Sequence, residues 1–135
     1  NFSFNQSIDI INQLIKRDLF EIINYDLISY YDTPGDIIGL INFATEKKID
    51  LKNYYLLDFL ILLIDNSYYK KNKFVKHLIF NLVELYFLKE YNISSTKNSL
   101  LNIYHNLIDK IYNVEKFNLD EESLFVELKA KLLNG

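Results

Sequence analysis

The amino-acid sequence predicts an all-α fold: a single domain over residues 1–135, built as a bundle of five to seven antiparallel helices around a central apolar helix at about 51–65. Three observations carry this. Apolar residues recur at three and four positions through most of the chain, the spacing that gathers side chains on one helical face. The run Tyr54–Ile64, YYLLDFLILLI, is apolar on nearly every side, and Phe74–Leu88 behind it keeps only a narrow polar row. Helices of that kind need others wrapped around them. No stretch alternates in period two for long, and hairpin pairs such as Asn-Gly are absent from the chain interior. Half of the 135 residues are apolar, enough for a core without staples in a chain of one-domain length.

Ile8, Ile11, Ile15, Leu19 and Ile22 place the first helix, with Ser7 as its N-cap. The pattern runs on through Tyr25 and Ile28 toward Tyr31, as one long helix or as two short ones broken near Lys16–Asp18. Asp32-Thr33-Pro34-Gly35-Asp36 is the clearest punctuation: Thr33 caps, Pro34 suits the first helical position, and Asp36 falls where a capping-box acid belongs. Ile37, Ile38, Ile41 and Ala44 form that helix's apolar face, which fades near Lys47–Lys48. Asp50 starts the central segment Leu51–Asp65, and Asn66-Ser67 breaks it. Phe74, Leu78, Leu82 and Leu85 read as a buried row, and Lys73, His77, Asn81 and Glu84 as a polar one. Asn92-Ile93-Ser94-Ser95 ends that helix and caps the next, whose core stripe is Leu100, Tyr104, Leu107, Ile108 and Ile111. The last helix starts at the acids Asp120-Glu121-Glu122, buries Leu124, Phe125, Leu128 and Leu132, and ends before Gly135. Short loops favour antiparallel neighbours.

Charge narrows the function classes. The net charge is −3, split as −5 over residues 1–66 and +2 over residues 67–135. An acidic half with Arg17 as the only arginine is poorly supplied for phosphate neutralisation or guanine reading, so no direct nucleic-acid binding is expected. The absence of Cys removes disulfide and thiolate chemistry and suits the cytoplasm, the expected location. Asn1–Ile15 has neither a basic start nor a continuous apolar run, and the absence of Met, even at position 1, fits a processed or trimmed chain. The longest apolar run is too short to span a bilayer and holds Asp58, so no membrane partner is expected. The bias toward Asn, Ile, Lys and Tyr, residues with A/T-rich codons, suits an A/T-rich genome or a mobile segment.

Catalytic signatures are sparse. Gly35, Gly39 and Gly135 are the only glycines, and none fits a phosphate loop or a dinucleotide fingerprint; a Gly-x-Ser-x-Gly elbow is absent. His77 and His105 lack the spacing of a metal pair, so no metal or cofactor is expected; with a nearby lysine they could serve a metal-independent nuclease, against the simpler reading of two surface histidines. Asp58, an acid inside an apolar helix, reads as a perturbed carboxylate or, more simply, as part of a narrow polar stripe. The cluster YYKKNKFVKH, with Lys70, Lys71, Lys73 and Lys76, reads as a single-strand platform or as a solvated helix start.

Asn24–Asp36, NYDLISYYDTPGD, is different. It sets Tyr25, Tyr30 and Tyr31 among Asp26, Asp32 and Asp36. Tyr gives a large, rigid contact at low entropic cost, and surrounding acids steer a basic partner. The competing reading tucks the rings into the core and leaves the acids as helix caps.

The stretch SYYDTPGDIIGLI, residues 29–41, resembles the segment of nuclease-colicin immunity proteins in which a Tyr pair is followed by an acidic residue, Ser-Pro and a helix opening with Ile. In that family the Tyr pair and neighbouring acids grip the basic nuclease. The resemblance maps this role onto Tyr30 and Tyr31, with Asp32 and Asp26 as neighbours. Here the Tyr pair abuts Thr33-Pro34 where the family has a spacer, and this chain is longer. In size, acidity, helicity and codon bias the chain is also similar to immunity proteins of contact-dependent growth inhibition and related polymorphic toxin systems. These resemblances imply a non-enzymatic, cofactor-free protein that neutralises a cognate toxin domain, a basic nuclease, by occluding its active or nucleic-acid-binding site. The partner-binding residues would be Tyr25, Asp26, Tyr30, Tyr31, Asp32 and Asp36. The alternative expectation is a helical scaffold or dimerisation module of a phage or mobile-element system, touching its partner through Lys70–Lys76; a homo-oligomer stays open.

Overall fold

The computed structural model describes residues 3–70, 72–93, 95–117 and 120–134. Asn1, Lys71, Ser94 and Gly135, all used in the sequence reading, lie outside the described residues. The described residues form six α-helices joined by 3-10 turns and short loops, with no strand among them. The fold is all-α. The chain clusters into two compact units, Asn1–Phe59 and Leu60–Gly135, divided inside the third helix.

In the first unit, α1 (Phe4–Ile15) is capped four residues before the expected Ser7. Ser3 is the true N-cap: its hydroxyl accepts from the Gln6 N–H while the Gln6 side chain takes the Ser3 N–H, a full capping box. Ser7 sits one turn inside and is buried. Lys16 adopts the left-handed conformation at φ 59° and ends the helix. No α-helix continues to Tyr31. Residues Leu19–Glu21 and Tyr25–Leu27 are 3-10 turns instead. The reason is local. Asp18 accepts from the Phe20 N–H, Asn24 accepts from the Asp26 N–H, and the Asn12 side chain reaches the Leu19 N–H. Such side chains offer the backbone partners outside a helix.

α2 (Pro34–Lys47) begins as its sequence specifies, with Thr33 and Asp36 exchanging the two bonds of a capping box and Pro34 in the first turn. It stops at Lys48, left-handed at φ 59°, where the Lys48 and Ile49 N–H groups turn back to Thr45 and Ala44 carbonyls. That closure satisfies the last carbonyls in the manner usually assigned to glycine. The expected central helix at 51–65 is shorter. Leu51–Asn53 is a 3-10 turn capped by Asp50, and α3 (Leu56–Asp65) begins only after Tyr54 and Tyr55. Its start is set by a distant residue: the Asp26 carboxylate accepts from the Leu56 N–H at 2.7 Å. Leu56 and Phe59 of α3 are buried with Ile11, Leu19, Ile23, Leu27, Ile37, Leu40 and Phe43.

In the second unit, Leu60, Leu63 and Ile64 continue the buried face of α3, and Asn66-Ser67 ends the helix as expected, with Ser67 left-handed. A 3-10 turn at Tyr68–Lys70 buries Tyr69. α4 (Lys73–Ile93), α5 (Lys97–Phe117) and α6 (Glu121–Asn134) follow. The polar row Lys73, His77, Asn81 and Glu84 of α4 is exposed, and Leu82 and Leu85 are buried as expected, but Val75, Ile79 and Val83 are buried where Phe74 and Leu78 were expected, and those two are half-buried. At about 100° per residue, Val75 and Ile79 stand nearly opposite His77, whereas Phe74 and Leu78 flank it. On α5, Leu107 and Val114 are buried while Ile108, expected in the core, is exposed. On α6 all four expected residues, Leu124, Phe125, Leu128 and Leu132, are buried. Phe125 packs between Tyr69 and Phe80, with ring centroids 4.1 Å and 5.7 Å away. Among the described residues, no helix is long and apolar enough to cross a membrane.

Candidate functional site

Tyr25, Tyr30 and Tyr31 all lie in the first unit and all face solvent, at 52%, 68% and 86% exposure. Their backbone is locked by short polar bonds. The Ser29 N–H donates to the Asp32 carboxylate at 2.9 Å, the Asp32 N–H returns to the Ser29 carbonyl, and the Tyr31 N–H donates to the Ser29 hydroxyl. The next step is the Thr33–Asp36 capping box. With φ and ψ fixed from Ser29 to Asp36, the Tyr pair is held outward rather than folded onto the core.

The rings differ in support. Tyr30 tilts against Phe4 of α1 at 4.6 Å, and Tyr25 against Phe20 at 5.2 Å. The Tyr25 and Tyr30 hydroxyls meet at 3.4 Å. That contact, followed by the charge interaction between the two phenols, raises Tyr25 above the ordinary tyrosine value. The Tyr25 hydroxyl therefore stays protonated at neutral pH and keeps its donor capacity. Tyr31 makes no side-chain hydrogen bond or ring contact among the described residues, so its face is open to a cation. Phe4 and Phe20 were not singled out in the sequence; only their partners' exposure shows them to be supports.

The acids do double duty. Asp36 and Asp32 hold the Thr33 and Ser29 N–H groups, and Asp26 holds Leu56. Burial pushes the Asp32 carboxyl above the ordinary carboxylate range, the Ser29 N–H pulls it back, and the nearby Asp36 charge adds to the rise. A bond to a neutral N–H leaves the carboxylate its charge. No Lys or Arg occurs between Arg17 and Lys47, so no basic side chain within the stretch cancels that charge. The arrangement presents aromatic faces and phenol donors among carboxylates, which suits the Lys- and Arg-rich surface of a partner.

The other sequence candidates have plainer surroundings. Asp58 is exposed in the first turn of α3, where a positive helix end favours an acid. His77 and His105 are exposed on α4 and α5. Among the described residues, no group of three His, Asp or Glu side chains converges as a metal site. The lysine cluster is partly neutralised from α6: Lys76 pairs with Glu121, and Lys70 with Glu122 at 3.4 Å.

No family model, curated protein or solved structure matches this chain.

Proposed function

We propose that the chain is a non-catalytic immunity protein that binds a cognate toxin domain, a basic nuclease, in the cytoplasm and neutralises it by covering its active or nucleic-acid-binding surface. The observation that carries this reading is the outward Tyr25–Tyr30–Tyr31 cluster set among Asp26, Asp32 and Asp36, in a stretch without a cation. Tyr supplies anchor area with few rotamers to freeze, and the acids speed encounter with a basic surface. An enzyme-like role receives no comparable support from His77 and His105. The scaffold reading, which relies on the Lys70–Lys76 cluster, is weakened because Lys70 and Lys76 already meet carboxylates of α6.

Calorimetry against the toxin-like domain encoded by the adjacent gene, at low and high salt, tests the proposal. The expected result is tight binding that weakens with salt and abolishes the domain's nuclease activity. Tyr30→Ala should then lose about 2 kcal/mol of binding, the scale of an interface anchor, with the melting transition little changed. A well-folded pair that does not bind would remove the reading and put the scaffold first.

A further inference from the structure

A second surface lies wholly in the second unit. α4 and α5 leave a cavity of about 220 Å³ between them. Its α4 wall is Glu84, Phe87, Leu88 and Tyr91, spaced as one helical face, and its α5 wall includes Leu101 and Tyr104. The lining is mostly apolar, and Glu84 is the one charged residue among the lining residues. That carboxylate has no hydrogen bond or ion pair among the described residues, although its charge reaches Tyr104, whose phenol is raised first by burial and then by Glu84. At the other end of the α4 wall, the Lys97 amino group sits 5.0 Å from the centre of the Tyr91 ring. The cavity therefore has an uncompensated acid at one end only.

Two further observations define what fits. The cavity is below the roughly 300–1,000 Å³ of sites that take drug-sized molecules, so it holds a single side chain better than a whole small ligand. The apolar surface also does not stop at the cavity. Leu101, Ile108 and Tyr112 are exposed and, with Tyr104, fall at successive steps of three and four residues along α5. This strip is about 16 Å long at 1.5 Å per residue and one helix wide. It is far smaller than the ~800 Å² that each partner of a stable dimer buries, which argues against a second copy of this chain.

We infer that the α4–α5 cavity and the adjoining α5 strip form a groove for one amphipathic, basic helix of a partner protein. One large apolar side chain of that helix enters the cavity, a neighbouring Lys or Arg pairs with Glu84, and later apolar positions lie on Ile108 and Tyr112. This is helix-in-groove recognition, and it does not depend on the Tyr-bearing face of the first unit.

The test uses the full chain, labelled with nitrogen-15, and an acetylated helical peptide of Leu, Lys and Ala with leucines on one face. Saturable shifts of the Leu88, Leu101 and Tyr104 amides are expected. Glu84→Gln, an isosteric change at an exposed position, should weaken binding about two- to fivefold, the range of an exposed ion pair. The analogue with Glu in place of Lys should lose binding at these amides. Shifts confined to residues 25–36, or equal binding by both peptides or by Glu84→Gln, would overturn the inference. Self-association that moves the same amides without peptide would assign the groove to a second copy instead.

Discussion

In residues 3–59, Asp18, Asp26, Asp32, Asp36 and Asp50 each accept a backbone N–H, from Phe20, Leu56, Ser29, Thr33 and Lys52. From residue 60 onward, Asp65, Glu121, Glu122 and Glu127 each meet a lysine, Lys129, Lys76, Lys70 and Lys110. The two uses have opposite electrostatic results. A carboxylate on a neutral N–H fixes the backbone and keeps its charge. A carboxylate on an ammonium cancels it. Residues 1–59 hold nine acids against five bases. Residues 60–135 hold nine acids and ten bases. The first unit is therefore a source of negative field with exposed Tyr, and the second is nearly neutral and held by long apolar helices. Asp120 acts in the first unit's manner: the Ser123 hydroxyl and then the Glu122 N–H hold it below the ordinary carboxylate value at the start of α6.

The comparison breaks most visibly in the core of the second unit. Phe125 is fully buried between Tyr69 and Phe80. Phe125→Ala should cost about 3–5 kcal/mol, the transfer term plus a cavity that long helices cannot close. Urea denaturation followed by far-ultraviolet circular dichroism measures it. A loss under about 1 kcal/mol would mean that the second unit does not depend on this packing.

The matching experiment in the first unit targets a polar bond. Asp26→Ala strips the Leu56 N–H of its charged acceptor and should cost about 1.5–3 kcal/mol, whereas Asp26→Asn keeps an oxygen there and should cost about half as much. Equal losses in the two variants would show that the charge, not the bond, is what α3 needs at its start. This contact also marks the limit of sequence reading. The Thr33-Pro34-x-Asp36 start of α2 and the Leu124–Leu132 face of α6 were legible because cap and stripe lie within one or two turns. The Ser3–Gln6 box was equally local, but the Ile8 periodicity drew the start too late. Asp26 and Leu56 are 30 residues apart, and no local pattern joins them. The Tyr cluster was legible as composition only. Its exposure depends on Ser29–Asp32 locking and on Phe4, which sequence spacing does not encode.

Between α4 and α6, a double-mutant cycle on Lys76 and Glu121 isolates the cancelling kind of pair. Lys76→Gln, Glu121→Gln and the double variant should give a coupling of about 0.5–1 kcal/mol that shrinks with added salt. A coupling that is absent at low salt would leave Lys76 free to serve an outside partner and would revive the basic cluster as a contact.

The smallest effect concerns Asp32, which keeps its charge in a half-buried place. Its folded carboxyl lies above the ordinary value, chiefly through burial, so the folded chain holds the proton more tightly than the unfolded chain. Stability from this group therefore rises as pH falls through the raised value, and the gain is complete below the ordinary carboxylate value. Asp32→Asn has no such gain. Relative to the natural chain, the variant should fare best near neutral pH and lose that advantage as pH drops through the window. Asp120 acts in the opposite direction, losing its contribution on acidification, but it is common to both chains and subtracts out. Urea midpoints over a pH series measure the difference. A difference that stays constant with pH, or widens as pH falls, would show that the Ser29 N–H bond outweighs burial at this site. In calorimetry with the toxin domain, the same variant removes one charge beside Tyr31 and should make binding less steeply dependent on salt, which ties the first unit's retained charge to its proposed use.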